Sequence, residues 1–152
     1  MNTLISPNEV VALAFSPEEV YNSAVITELD VATAEERYLR PLLGQALYDK
    51  LLEGNYQSLK DEFVAPVVAV WTRYLVEPLL ASRCDACSFA EATAASNDAL
   101  AERCRQLRLR ARTLSRGLTR HLNSRVADYP EYNPDENPLN RCSIDGNIVQ
   151  IR

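Results

Sequence analysis

Residues 98–126, DALAERCRQLRLRARTLSRGLTRHLNSRV, decide the fold class of this chain. Leu100, Cys104, Leu107, Ala111, Leu114, Leu118 and Leu122 recur at steps of four and three, so an α-helix gathers them into one narrow apolar stripe. At about 100° per residue, Arg105, Arg112, Arg116 and Arg120 fall on the side opposite that stripe. Arg108 lies on one shoulder, and Arg103 and Arg110 lie on the other. Such a helix is about 40 Å long. It reads as one member of a bundle that displays a basic ridge.

The rest of the composition agrees with a bundle. Ala and Leu supply 38 of the 152 residues and Gly supplies four, which argues against a sandwich, a barrel or a dinucleotide-binding fold. The length suits one domain with one core. From Arg103 to Arg125 there are eight Arg and no acid, whereas the whole chain carries 16 basic and 21 acidic residues. The net charge of −5 therefore hides a basic helix set against an acidic remainder. Lysine occurs only at Lys50 and Lys60, and arginine is the residue of fixed, planar pairing rather than of general solubility.

Upstream, Ser6-Pro7-Asn8-Glu9 and Ser16-Pro17-Glu18-Glu19 each place a cap, a proline and an acid as a helix start requires. The first leads into a short helix through Val10, Leu13 and Phe15, the second toward Val20, Tyr21, Val25 and Ile26. Leu29, Ala32, Ala34 and Tyr38 are spaced for a helix over about 27–40, which Pro41 is expected to end or kink. A compact helix is predicted from Leu42 to Glu53, stopped by Gly54. Ser58-x-x-Asp61 predicts the cap of a longer helix with a wide apolar face from Phe63 to Leu79, segmented by Pro66 and Pro78.

After Val126 the pattern changes. Pro130, Pro134 and Pro138 stand among Tyr129, Tyr132, Asn and acids, which excludes a continuing helix. Ser143 to Ile151 then offers a turn dipeptide between β-branched residues, with Ile144, Ile148 and Ile151 as apolar anchors. That segment reads as a small hairpin or as a strand that pairs with another chain. The expected organisation is an all-α bundle of about four to six helices over 1–127, followed by an extended C-terminal arm over 128–152. The arm either folds back on its own domain or clasps a partner.

Catalytic constellations are scarce. His121 is the only His and sits beside the Leu118–Leu122 stripe, where a structural imidazole is expected. No nucleophile elbow, phosphate loop or zinc-protease motif occurs, and neighbouring acids such as Glu35-Glu36 diverge around a helix. Cys84 and Cys87 form a C-x-x-C, but Cys104 and Cys142 stand apart. Buried helix thiols are expected there rather than a metal site, and no cofactor is implied. No apolar run approaches the roughly 18 residues that span a bilayer, and no leader follows Met1, so no membrane role is expected. The arginine ridge allows three readings: phosphate binding, pairing with the acidic remainder within or between chains, and a solvated face. An overall isoelectric point near 4.9 weighs against a dedicated nucleic-acid binder.

The stretch from Ala34 to Leu51 resembles the head–tail connector proteins of tailed bacteriophages and prophages. It carries Glu36-x-Tyr38-Leu39, then Leu42-Leu43-Gly44 and Leu47-Tyr48, and a weaker likeness extends over about 20–82. The resemblance implies a structural virion protein without catalytic activity, made in the bacterial cytoplasm and placed in the virion neck. It implies a homo-oligomeric, dodecameric ring beneath the portal protein that docks the tail or stopper protein and passes DNA through its lumen without specific binding. Within that expectation Arg105, Arg108, Arg112, Arg116, Arg120, Tyr129, Tyr132, Ile144, Ile148 and Ile151 are candidates for subunit or portal contacts. The alternative is a helical nucleic-acid-binding protein acting through residues 103–125.

Overall fold

Serine and threonine boxes start the N-terminal elements. In a computed structural model, which describes residues 2–19, 23–83, 94–145 and 148–151, Ser6 Oγ accepts the Glu9 N–H at 3.3 Å, and Glu9 accepts the Ser6 N–H at 2.7 Å. That exchange opens α1 (Pro7–Ala14). Ser16 and Glu19 are joined in a similar way, the Ser16 N–H donating to the Glu19 carboxylate at 2.8 Å. Here it closes a turn over 17–19 instead of opening a helix, and Val20 and Tyr21 lie outside the described residues. Thr27 and Asp30 form a third box, unanticipated from the sequence, at the start of α2 (residues 28–43).

The prolines change helix type rather than end helices. In α2, the turns Glu28–Ala34 pass into a π-helical segment, Glu35–Leu39, and finish as Arg40–Leu43. The Arg40 N–H bonds to the Glu35 carbonyl, five residues back. The next residue is Pro41, which has no N–H and whose ring crowds the preceding turn; the widened turn gives it room. The helix ends at Gly44, with φ +78°, so the predicted Leu42–Glu53 helix is two pieces, the tail of α2 and α3 (Gln45–Leu52). Gly54, at φ +87°, stops α3 as expected. The same device recurs in α4 (residues 57–83). A π-helical segment, Lys60–Val64, places the Ala65 N–H on the Lys60 carbonyl just ahead of Pro66. Pro78 sits in a 3-10 turn, Glu77–Leu79. The helix begins behind Tyr56, in the left-handed region at φ 55°, and the predicted cap Ser58 is already inside it.

Helix α4 is the centre of the molecule. Its middle span, Ala65–Val76, buries residues on nearly every side, and α1, α2 and α5 pack around it, as its near-uniform hydrophobicity demands. Helix α5 (Ala94–Ser124) lies antiparallel to it: Arg103 meets Glu77, Ser115 meets Trp71 and His121 meets Phe63. Leu107, Ala111, Leu118 and Leu122 are buried, the stripe read from the sequence. Leu29, in contrast, is 62 % exposed, and Val31 takes the core position. The buried carboxylate of Glu35, 1 % exposed, accepts the Leu4 N–H at 2.8 Å and the Tyr48 hydroxyl at 2.7 Å. It thereby ties the N-terminal segment to α2 and α3.

The fold is an all-α bundle of six helices among the described residues, followed by a C-terminal arm. The first half of that arm is laid on its own bundle. A 3-10 turn (Val126–Asp128) leads to Tyr129 and Tyr132, which are 8 % and 4 % exposed and belong to the core. This corrects their assignment as interface residues: each ring fills a site beside α5. Tyr132 Oη donates to Asn123 Oδ1 at 2.9 Å, and Asn137 donates to both Thr119 Oγ1 and Tyr132 Oη. Helix α6 (Pro138–Arg141) then leads into an antiparallel hairpin of β1 (Cys142–Asp145) and β2 (Ile148–Ile151). Its register pairs Ile144 with Val149, Asp145 with Ile148 and Cys142 with Ile151. Of the two readings of this segment, the strands pair with each other.

Candidate functional site

The arginines of α5 remain exposed after folding, all seven from Arg103 to Arg120, as does Arg125 just past its end. Arg103 reaches Glu77 at 3.0 Å and Arg105 reaches Glu102 at 2.9 Å. Among the described residues, Arg108, Arg110, Arg112, Arg116, Arg120 and Arg125 have no ion-pair partner. Two acids of the N-terminal elements are committed to arginines of α4. Arg73 grips Glu19 through two hydrogen bonds, of 2.9 and 2.6 Å. That contact holds the Glu19 carboxyl below the usual carboxylate range. Arg83 grips Asp30 in the same two-pronged way, at 2.6 and 3.1 Å. Burial pushes Asp30 upward, but Arg83 and Thr27 outweigh it and its pKa is lowered. Both acids are also members of the turn and cap boxes, so one carboxylate organises local structure and anchors α4.

The unpaired ridge borders a cleft of about 640 Å³ between α2, α4 and α5. Arg108, Arg112 and Arg116 line it from α5, and Arg37 lines it from the π-helical segment of α2. Its other lining residues include Tyr38, Trp71, Tyr74, Ser115 and Leu139, and no carboxylate among the described residues lines it. The aromatic side chains brace one another. Tyr38 stacks on Trp71 with ring centres 3.8 Å apart and planes 5° apart, and Tyr74 meets Trp71 edge-on at 5.6 Å. The Trp71 indole N–H donates to Ser115 Oγ at 3.1 Å. Four guanidinium groups around a rigid aromatic wall can donate bidentate hydrogen bonds to carboxylate or phosphate oxygens.

The ridge arginines predicted from the sequence thus separate by flank. Arg108, Arg112 and Arg116 share the cleft. Arg103 and Arg110, on the other shoulder, border a smaller recess with Arg73 and Glu102. Arg105 is tied to its own helix, and Arg120 lies exposed outside the cleft lining. Tyr129 and Tyr132 are core, while Ile144, Ile148 and Ile151 are placed only as hairpin positions. Sequence reasoning missed Arg37, Tyr38, Trp71 and Ser115 as site residues. Arg37 and Tyr38 lie on α2 and meet the α5 arginines only through tertiary packing, which no local pattern in the sequence records. His121 stacks on Phe63 with ring centres 4.1 Å apart, and its Nε2 lies 3.2 Å from Tyr129 Oη, the placement of a structural imidazole. Cys84 and Cys87 lie outside the described residues, and no group of potential metal ligands occurs among those described. No described helix is long and apolar enough to cross a membrane.

The fold and site define a helical bundle that presents an arginine-lined cleft. The chain belongs to a protein family of unknown function, DUF6712, whose signature matches residues 39–141. That match spans the end of the π-helical segment through the close of α6, so it includes the docked half of the arm and stops before the hairpin. No curated protein and no solved structure matches the chain.

Proposed function

We propose that this chain is a structural subunit of a homo-oligomeric ring, a head–tail connector that sits beneath a phage portal and docks the tail or stopper. The observation that carries the reading is the uncompensated arginine face of α5 on a chain whose net charge is −5. A closed ring needs two different, complementary patches on every subunit, and segregated charge supplies them. The connector resemblance of residues 34–51 is supported by their folded form: a helix, a glycine turn and a short Leu/Tyr helix. An acidic body also suits a lumen through which DNA slides, because like charge prevents adhesion. The hairpin adds strand edges that a neighbour or the portal can extend by β-augmentation.

Light scattering on the full chain, alone and with a portal ring, tests this reading. A ring-sized particle or a stable portal complex supports it, and a strict monomer that ignores the portal overturns it. A second reading, nucleic-acid binding, is favoured by one observation: Arg108, Arg112, Arg116 and Arg120 stand unpaired at four-residue steps, about 6 Å apart along the helix. Filter binding across a salt series separates the two, since phosphate neutralisation requires affinity that falls steeply with salt.

A further inference from the structure

We infer that the arginine-lined cleft is the receiving half of the subunit contact, and that its occupant is the acidic end of a second copy of this chain. The inference rests on the ring reading and assigns its surfaces.

The cleft calls for an anion. Arg37, Arg108, Arg112 and Arg116 converge on it, no carboxylate lines it, and none of the four has an ion-pair partner among the described residues. It is poorly suited to a nucleobase. Trp71 is buried and its ring is covered by Tyr38, while Arg37 lies over the Tyr38 ring at 5.4 Å from its centre. A single-stranded nucleic acid gains much of its affinity by stacking on open rings, and here those rings are occupied by one another. A carboxylate-bearing protein surface needs only the guanidinium forks.

The molecule carries such a surface elsewhere. Residues 49–62 and 125–136 hold eight carboxylates against three cations, a local net charge of −5. These two stretches are joined into one end of the bundle. The Tyr56 hydroxyl donates to Glu131 at 2.8 Å, and the Tyr56 ring meets Tyr129 edge-on at 5.2 Å. Glu53, Glu62 and Asp128 are exposed there, and Glu131 is half-buried. This end is distinct from the cleft, so the contact is heterologous and each copy keeps one unused patch for the next, the requirement for a ring. The hairpin is not the better occupant: residues 141–152 contain two Arg and one Asp, the wrong sign for the cleft.

Reciprocal charge reversal tests the assignment by sedimentation velocity on the full chain at low salt. Arg112→Glu with Arg116→Glu, and separately Glu62→Arg with Asp128→Arg, each weaken self-association about a hundredfold. All four side chains are exposed, so circular dichroism should show unchanged helix content. Mixing the two variants restores assembly, because each then supplies the charge the other has inverted. If the wild-type chain assembles and both variants assemble equally well, the cleft assignment falls while the ring reading stands. If each variant is impaired but mixing restores nothing, the pairing of these two patches is wrong. If the wild-type chain remains monomeric with and without a portal ring, both readings fall. A cleft variant that loses binding to a single-stranded oligonucleotide while wild-type self-association is absent assigns the cleft to phosphate instead.

Discussion

Two truncations distinguish the docked half of the C-terminal arm from its tip. A chain ending at residue 127 loses Tyr129, Tyr132 and Asn137, which are 8 %, 4 % and 1 % exposed. It also leaves Thr119, Asn123 and His121 without their partners from the arm. Removing one large aromatic side chain from a core costs about 3–5 kcal/mol, so losing two approaches the whole stability of an ordinary domain, about 5–15 kcal/mol. A chain ending at residue 141 keeps all of these contacts and should lie within about 1 kcal/mol of the full chain. Urea unfolding followed by far-ultraviolet circular dichroism reads the difference. With a slope of about 2 kcal/mol per molar urea, the shorter chain should unfold at least about 3 M earlier, or be unfolded outright. If it cannot be produced, Asn137→Ala serves instead. Asn137 donates to Thr119 and Tyr132 and accepts the Leu139 N–H at 3.0 Å, so its loss should cost about 2–4 kcal/mol. A 127-residue chain with the midpoint of the full chain would refute the assignment of residues 128–141 to the core.

Two carboxylates should respond to pH in opposite directions. Burial raises the Glu35 pKa, against the lowering effect of the Tyr48, Leu4 and Ile5 hydrogen bonds. The folded state therefore holds that proton more tightly than the unfolded state, and stability from this site grows as pH falls through the raised pKa. Wild type should gain on Glu35→Gln between neutral pH and the ordinary carboxylate range; a constant difference in chemical-denaturation free energy contradicts this. The Glu19 pKa is lowered by Arg73, so its stabilisation is present above the unfolded pKa and lost as pH falls through the folded one. Glu19→Gln should cost about 1–3 kcal/mol at neutral pH and almost nothing near pH 3, and a cost that persists in acid contradicts the ion pair.

Helix α5 was legible because seven apolar residues keep a 3.6-residue beat without a proline to disturb it, and its boundaries differ from the structure by only a few residues. Pro41, Pro66 and Pro78 were less legible. A proline normally ends a helix, but a π-helical segment ahead of Pro41 and of Pro66 removes the clash, and a local pattern does not register the extra residue that this inserts. Arg37 and Tyr38 escaped the reading of the site because only tertiary packing brings α2 against the α5 arginines. Gly44 was visible as a glycine turn in the connector-like stretch, yet the apolar run across it favoured a single helix. The docking of Tyr129 and Tyr132 depends on Asn123, Thr119 and Asn137, polar partners brought together only by tertiary packing. The arginine ridge was readable as a face, but whether its charges were paired was not, because that depends on which carboxylates tertiary packing brings to it, and here Glu77 reaches only Arg103.

Light scattering of the full chain across a salt series, with and without a portal ring, tests the central claim most directly. An assembly held by arginine clefts and acidic ends should be ring-sized at low salt and should shift toward smaller species as the screening length falls below about 10 Å. With a portal ring present, the two should elute as one complex. A monomer at every salt concentration, unaffected by the portal ring, would contradict the claim.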